Sequence, residues 1–211
     1  MRVAVDGVDG AGKTVFADEL VVELARRGVA AVRASVDGFH HPPAIRYRRG
    51  RGSPEGFFLD SYDYGSFVRL LLGPLAPGGD RRIVRAIYDV RAERPVPQVV
   101  DVAPVPGVLI VDGIFLHRPR LRRHWDFSVF LQVDFTVSVP RQAGRDGTDP
   151  DPAAPGNRRY VQGQRLYLRT CRPQRHASMV IDNTDLDRAA IIQRRDPADA
   201  PISPPTPRIS D

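Results

Sequence analysis

The chain has 211 residues, a formal net charge of +6 and one cysteine, Cys171. This length predicts a single domain with a substantial hydrophobic core. The lone cysteine excludes an internal disulfide framework and favours a reducing compartment. Apolar runs are too short to span a membrane, and a strand-like run begins at Arg2, so we expect a cytoplasmic protein without a membrane anchor or signal peptide.

The basic charge is carried almost entirely by arginine, because Lys13 is the only lysine among the 31 lysine and arginine residues. An excess of basic residues can indicate binding to nucleic acid. It can equally indicate arginines gathered around phosphate groups. The arginines are scattered rather than concentrated in a short basic block, so the pattern favours phosphate chemistry and no nucleic-acid partner is expected.

The first chemical motif lies near the start of the chain. Residues 7–14 read Gly-Val-Asp-Gly-Ala-Gly-Lys-Thr and match the phosphate-loop pattern G-x-x-x-x-G-K-[ST]. Glycines let backbone N–H groups curl around phosphate oxygens, and the following helix adds its positive N-terminal end. Lys13 supplies a compact charge, and the Thr14 hydroxyl is a ligand for Mg²⁺. The predicted nucleotide-binding positions are Gly7, Asp9, Gly10, Ala11, Gly12, Lys13 and Thr14.

The flanks of this motif and the rest of the chain alternate between strand-like and helical patterns. The strand-like runs are Arg2–Asp6, Ala30–Val36, Val108–Val111, Phe127–Val133 and Met179–Asp182, and the helical patterns include Val15–Arg27, Tyr64–Leu72 and Arg158–Arg169. Alternation of this kind predicts an α/β fold with a mostly parallel sheet covered by helices. In such folds ligands bind at the carboxyl ends of the strands.

Three connecting segments have distinct compositions. Phe39–Asp60 is polar and glycine-rich, and we interpret it as a long loop. Arg82–Tyr88 and Gln98–Val102 are short strand-like stretches that suggest a hairpin-like insertion. Asp146–Gly156 is rich in proline, glycine and aspartate, and we expect a mobile connection between two helices.

The last part of the chain differs in composition from the rest. From about Arg195 it is rich in proline and small polar residues, which predicts a disordered tail. We therefore divide the chain into one domain, residues 1–194, and a tail, residues 195–211.

Two aspartates follow predicted core strands. Asp37 comes after Ala34-Ser35-Val36, and Asp112 after Leu109-Ile110-Val111, and a glycine follows each of them. The strand ends converge near the phosphate loop, where one acid can hold Mg²⁺ and another can accept a proton from a substrate hydroxyl. The alternative is that each aspartate only opens a turn before its glycine.

Four arginines flank the proposed mobile connection: Arg141, Arg145, Arg158 and Arg159. Arginines in such a position can close over bound phosphates as a lid, exclude water and offset the charge of the transferred group. The alternative is a solvated basic helix face. His117 follows the Asp112-Gly113 turn, and we expect it to reach a substrate.

Several of these segments together resemble the uridine kinase family of P-loop kinases, relatives of phosphoribulokinase and pantothenate kinase. The resemblance covers roughly residues 2–187 and rests on the phosphate loop, Asp37-Gly38-Phe39-His40, Ile87-Tyr88-Asp89 and the Asp112-Gly113 turn. It is strongest with the short, arginine-rich bacterial members.

The resemblance implies a three-layer P-loop NTPase fold, with a five-stranded parallel core, a small β insertion and a helical lid. It implies ATP and Mg²⁺ as cofactors, Asp37 as the base for a nucleoside 5′-hydroxyl and Tyr88 as part of the nucleoside pocket. The lid arginines of the family correspond loosely to Arg141, Arg145 and Arg158. Glu93 stands where the family commonly has a histidine that touches the base.

The sequence thus predicts an ATP- and Mg²⁺-dependent kinase for a small hydroxyl compound, with a nucleoside favoured. The expected catalytic residues are Lys13, Asp37, Arg145 and Arg158, and the expected metal ligands are Thr14 and Asp112. Arg141 and Arg145 join the predicted nucleotide-binding positions. The expected substrate-binding residues are Asp37, Tyr88, His117 and Arg159. A kinase for another alcohol, pantothenate-like or sugar-like, and a nucleotide-binding switch remain alternatives. The sequence leaves open a homo-oligomer, and which of Glu55, Asp60 and Asp63 contacts the acceptor.

Overall fold

The computed structural model describes residues 1–195 and contains ten strands and seven α-helices in that range. The strands are β1 (Arg2–Gly7), β2 (Ala31–Ser35), β3 (Arg82–Val84), β4 (Tyr88–Asp89), β5 (Arg94–Pro95), β6 (Val100–Val102), β7 (Val108–Gly113), β8 (Phe127–Gln132), β9 (Met179–Asp182) and β10 (Ala190–Arg194). The helices are α1 (Lys13–Arg26), α2 (Pro43–Arg46), α3 (Pro54–Asp60), α4 (Tyr64–Phe67), α5 (Pro119–Arg122), α6 (Phe135–Asp146) and α7 (Arg158–Cys171). A π-helical turn, Val68–Leu72, continues α4.

The central sheet has six strands in the order β10-β9-β8-β1-β7-β2. Five of them are parallel, which confirms the predicted parallel core, and β10 adds an antiparallel edge strand that the sequence analysis did not predict. In the register of the parallel strands, Val5 of β1 and Ser35 of β2 both lie opposite Asp112 of β7. The register therefore brings the phosphate loop, the turn after β2 and the end of β7 to one edge of the sheet.

Hydrophobic side chains cover both faces of this sheet. Helix α1 covers one face of the sheet, where its Ala17 belongs to the same core cluster as Val3, Val5 and Ile110. Ala4 and Val111 alternate to the opposite face and join the larger core cluster. This alternation along each strand gives a three-layer arrangement of helices, sheet and helices, as the resemblance implied.

The segment Phe39–Asp60 is not the long loop that we predicted from its polarity. It contains α2 and α3, and α3 buries Phe57 and Phe58 against the core. A local signal for α3 was present in the sequence, because Ser53 caps the helix by accepting the N–H of Gly56 at 3.0 Å and Pro54 occupies the first helical position.

The predicted insertion is present as two small antiparallel pairs, β3 with β6 and β4 with β5. The N–H of Ile87 donates to the carbonyl of Gly38 at 2.8 Å, so the insertion is attached to the turn that carries Asp37. A Cβ on Gly38 would lie 2.6 Å from the carbonyl oxygen of Arg85, and this close approach explains the glycine.

The second half of the chain forms the expected pair of helices around a loop. Asp134 caps α6 by accepting the N–H of Thr136 at 2.8 Å, and α7 follows the connection at residues 147–157. Arg195, which we had assigned to the tail, still bonds to the sheet region through its N–H and the carbonyl of Ser178. The predicted tail at 196–211 lies outside the described residues. In the described part of the chain, every helix is too short or too polar to cross a membrane.

Asp60, at the end of α3, is a buried acid with two cationic partners. Its carboxylate pairs with Arg48 and with Arg49, the latter at 2.8 Å. Burial by itself would raise the pKa of Asp60, but the hydrogen bonds from the two arginines outweigh burial and lower the pKa below its ordinary value.

We expect Asp60→Asn to lower the melting temperature at pH 7, with a loss of about 1–3 kcal/mol in the free energy of unfolding. Because the folded pKa is depressed, the stabilisation exists above the unfolded pKa of about 4 and disappears as the pH falls through the folded pKa. The difference between variant and wild type, measured by thermal melting, should therefore shrink below pH 4. Asp187→Asn, the same change at an exposed position, serves as control, and a difference that does not vary with pH would contradict the assignment.

Candidate functional site

The phosphate loop runs from the end of β1 to the start of α1, as predicted. Gly10 has a φ of 74° and Gly12 a φ of 88°, a left-handed conformation that favours glycine. A Cβ on Gly10 would lie 2.0 Å from the carbonyl oxygen of Ser138, so the loop is packed directly on α6. Gly12 is the N-cap residue of α1, and the loop therefore presents the N-terminal end of that helix.

Lys13 lies over its own loop. Its Nζ donates to the carbonyl oxygen of Val8 at 2.8 Å. An ammonium group has three donors, so two remain for phosphate oxygens while this bond holds the side chain in position.

Thr14 and Asp112 form a pair of oxygen groups beside the lysine. The Thr14 hydroxyl donates to Asp112 Oδ2 at 2.8 Å, and Arg33 donates to Asp112 Oδ1 at 3.1 Å. Mg²⁺ is usually bound by one or two protein oxygens together with water and substrate phosphates. The chemistry of this pair therefore fits a magnesium site next to the phosphate loop.

Asp37 lies in a single helical turn directly after β2, where Ser35 accepts its N–H. The hydroxyl of Tyr62 donates to Asp37 Oδ1 at 2.8 Å. Burial, and next the neighbouring Asp37 charge, raise the pKa of Tyr62 well above its ordinary value, so the phenol stays protonated and remains a donor. The sequence analysis missed Tyr62.

One cavity of about 140 Å³ brings most of these groups together. Its lining includes Asp9, Lys13, Thr14, Asp37, Asp112 and Arg145. Of the four predicted lid arginines, Arg145 is the one that lines this cavity, where it also pairs with Asp146 at 2.7 Å.

Asp9 connects the phosphate loop to α7. Its N–H donates to Oε1 of Gln164 at 2.6 Å, and Nε2 of Gln164 donates to Asp9 Oδ2 at 3.1 Å. Burial raises the pKa of Asp9, and the nearby Lys13 charge acts in the opposite direction. Gln164 is a buried polar residue that the sequence analysis missed, because no local pattern links positions so far apart in the chain.

The other predicted lid arginines have different surroundings. Arg141 donates to the carbonyl of Asn183 at 2.9 Å, and Asn183 Nδ2 donates to the carbonyl of Ala11 at 2.8 Å, so Arg141 braces the segment after β9 against the phosphate loop. Arg158 lines a separate cavity next to the connection between α6 and α7. Arg159, predicted to contact substrate, is buried, and its guanidinium donates to main-chain carbonyls, including those of Arg51 and Ser53 at 3.1 Å.

His117 does not have the substrate-facing position that we predicted. Its side chain is 1% exposed, and its Nδ1 lies 2.7 Å from Asp6 Oδ2. The hydroxyl of Tyr167 donates to the same oxygen. His117 is therefore part of the buried support below the phosphate loop and is enclosed away from substrate.

Tyr88, expected in the nucleoside pocket, forms a small cluster with Glu93 of the insertion and Arg46 at the end of α2. Tyr88 donates to Glu93 Oε2 at 3.1 Å, and Arg46 Nη2 lies 2.5 and 2.6 Å from the two oxygens of Glu93. The three acidic candidates for the acceptor are outside the lining of the Asp37 cavity: Glu55 is in the first turn of α3, Asp60 is paired with arginines, and Asp63 caps α4.

Comparisons with known proteins give a consistent relationship. No protein-family model matches the chain. The chain is 28% identical over 180 residues to the uridine kinase of Leuconostoc citreum. This aligned region covers 82% of this chain and 79% of that protein.

Solved structures show the same fold. A possible uridine kinase from Bacillus stearothermophilus matches with a TM-score of 0.68 and 20% identity, over 85% of this chain and 87% of that one. A putative fructose transport system kinase from Silicibacter sp. matches with a TM-score of 0.63 and 23% identity, over 79% and 84%. The chain is thus similar in sequence to curated uridine kinases, and it shares its fold with these P-loop kinase structures.

Proposed function

We propose that the protein transfers the terminal phosphoryl group of ATP to the hydroxyl of a small molecule, with a nucleoside 5′-hydroxyl as the favoured acceptor. The observation that carries this proposal is the presence of the Asp37 carboxylate in the same cavity as Lys13 and the Thr14–Asp112 pair. A phosphate loop alone serves any nucleotide-binding protein, whereas a carboxylate facing it supplies the base that an alcohol acceptor requires.

In this proposal the loop amides and Lys13 bind the phosphates of ATP. Thr14 and Asp112 hold Mg²⁺, which neutralises the charge that develops on the phosphates. Arg33, bonded to Asp112, keeps that carboxylate in place. Arg145 adds a positive charge on the lid side of the cavity, where it offsets charge on the transferred group.

Asp37 accepts the proton of the acceptor hydroxyl. The hydrogen bond from Tyr62 occupies Oδ1 and fixes the orientation of the carboxylate, so that Oδ2 is available to the substrate. Fixing the base in this way avoids a reorganisation cost when the acceptor binds.

The second candidate is a kinase for another small alcohol. The observation in its favour is the Arg46–Glu93–Tyr88 cluster, which stands where the family commonly has a histidine for the base of the nucleoside. The solved structure named a putative fructose transport system kinase is consistent with a sugar-like acceptor in this fold.

A panel of acceptors tests both candidates. We expect ADP release from ATP·Mg²⁺ to rise well above the acceptor-free rate with uridine or cytidine, and less with fructose, glycerate or pantothenate. Lys13→Ala should abolish this release while it leaves the melting temperature unchanged, because Lys13 serves the phosphates and not the core. Stimulation by an acid or sugar instead of nucleosides would favour the second candidate. ATP turnover that no acceptor stimulates would contradict a kinase.

Asp37→Asn separates the base from a metal ligand. The amide keeps the size of the side chain but removes its basicity, and general-base catalysis contributes on the order of 10²–10⁴-fold in rate. We expect turnover to fall by about that factor while ATP·Mg²⁺ affinity stays within a few-fold, as measured by steady-state kinetics and nucleotide titration. Asp80→Asn, the same change at an exposed position outside the cavity, is the matched control. Loss of nucleotide affinity with unchanged turnover per bound nucleotide would contradict the role of base.

The bond between Gln164 and the loop predicts an effect on nucleotide binding from α7. Gln164→Leu leaves the N–H of Asp9 without its partner, and such a bond is worth about 1 kcal/mol, so we expect ATP affinity to fall by roughly fivefold. The same change on the same helix at Gln162 is the control. Titration with a fluorescent ATP analogue measures the effect, and equal affinities for the two variants would show that Gln164 does not preorganise the loop.

A further inference from the structure

A second cavity, of about 400 Å³, lies between the helices α2–α4 and the segment that joins β7 to α5. Arg118 and Arg120 line it on one side, and Tyr62 and Tyr64 form an aromatic part of its wall. The nucleotide-binding groups Lys13 and Asp112 do not line it, so this cavity is separate from the one described above.

Arg118 is a buried cation whose charge is not balanced. Its side chain is 9% exposed, and its guanidinium lies 4.0 Å from the ring centre of Phe58 and 4.7 Å from that of Tyr64. Its Nε and Nη2 are enclosed and have no hydrogen-bond partner within residues 1–195, and no carboxylate of that range pairs with it. The attraction between aromatic rings and a cation is weaker than the cost of removing a charge from water.

Within residues 1–195, no acidic group of the cavity forms an ion pair with Arg118. Asp60 is already held by Arg48 and Arg49, and Asp63 accepts the N–H of Ser66 at 2.9 Å. Burial lowers the pKa of His41, so this ring is mainly neutral at neutral pH.

Arg120 adds a second cation at the rim of the cavity. It is exposed, with its guanidinium 5.0 Å from the ring centre of Tyr64, and it has no acidic partner in the described part of the chain. The lining of the cavity thus holds three arginines, Arg48, Arg118 and Arg120, against the two carboxylates of Asp60 and Asp63, so its charge is net positive.

We propose that this cavity binds the phosphate group of a small phosphorylated compound. Two guanidinium groups complement a dianion in charge, and their planar N–H donors suit the oxygens of a phosphate. The cavity is larger than a phosphate group alone, and the tyrosine rings offer a surface for the organic part of the ligand.

One residue, Tyr62, would connect such a ligand to Asp37. Tyr62 lines the cavity and donates its hydroxyl to Asp37. A ligand packed against Tyr62 can therefore change the orientation of Asp37, although the proposed binding itself does not depend on kinase activity.

The test uses inorganic phosphate as the probe. Phosphate also fits the phosphate loop, so every variant carries Lys13→Ala to weaken that site. Thermal melting is followed as phosphate rises at constant ionic strength. We expect phosphate to raise the melting temperature. Arg120→Gln should increase the half-saturating phosphate concentration at least fivefold, and Arg118→Gln should increase it at least tenfold. Arg123→Gln, an exposed change outside the cavity, should shift it less than twofold.

Arg120→Gln keeps the test decisive if Arg118→Gln does not fold, because Arg120 is exposed. Equal half-saturating concentrations for Arg120→Gln and Arg123→Gln would overturn the proposal, since phosphate would then bind elsewhere or only screen charge. Malonate, a dicarboxylate, is the second probe. Binding of malonate at least as tight as that of phosphate would overturn the assignment to a phosphate group.

Discussion

The carboxylate of Asp6 is the interaction on which the site depends. It is fully buried at the end of β1, and it accepts the N–H of Gly7 at 2.7 Å, the N–H and Nδ1 of His117, and the hydroxyl of Tyr167. A buried carboxylate is costly unless hydrogen bonds satisfy it. These donors come from the phosphate loop, the segment after β7 and α7, so satisfying one acid fixes the relative positions of three elements.

Helix α7 gains a specific role from this arrangement. It contacts the base of the loop through Tyr167 and the middle of the loop through Gln164, which are almost one turn apart on the same helix. The connection at residues 147–157 leads directly into the N-terminal end of α7. Because one helix makes both contacts, the position of α7 and the shape of the phosphate loop depend on each other.

Local sequence patterns predicted the parts of the fold that local physics determines. The five parallel strands, the phosphate loop and α1 have strong periodicity and a motif of fixed spacing, and the structure contains all of them. Pairings between distant positions have no such signal, which is why Tyr62 and Gln164 were missed. His117 and Arg159 were assigned to substrate because they are polar residues near motifs, whereas tertiary packing buries both of them. The same reasoning missed α3, because polarity and glycine content outweighed its N-terminal cap.

Two partly or fully buried arginines make contacts that a lysine could not make. Arg33 bridges Asp18 and Asp112, and Arg159 reaches several main-chain carbonyls at once. A planar guanidinium with five donors can satisfy several acceptors, and it stays charged when buried. Lys13 is different, because its compact ammonium stands at the position that the phosphate-loop pattern reserves for lysine. Its Nζ is bonded to the carbonyl oxygen of Val8 and keeps two further donors.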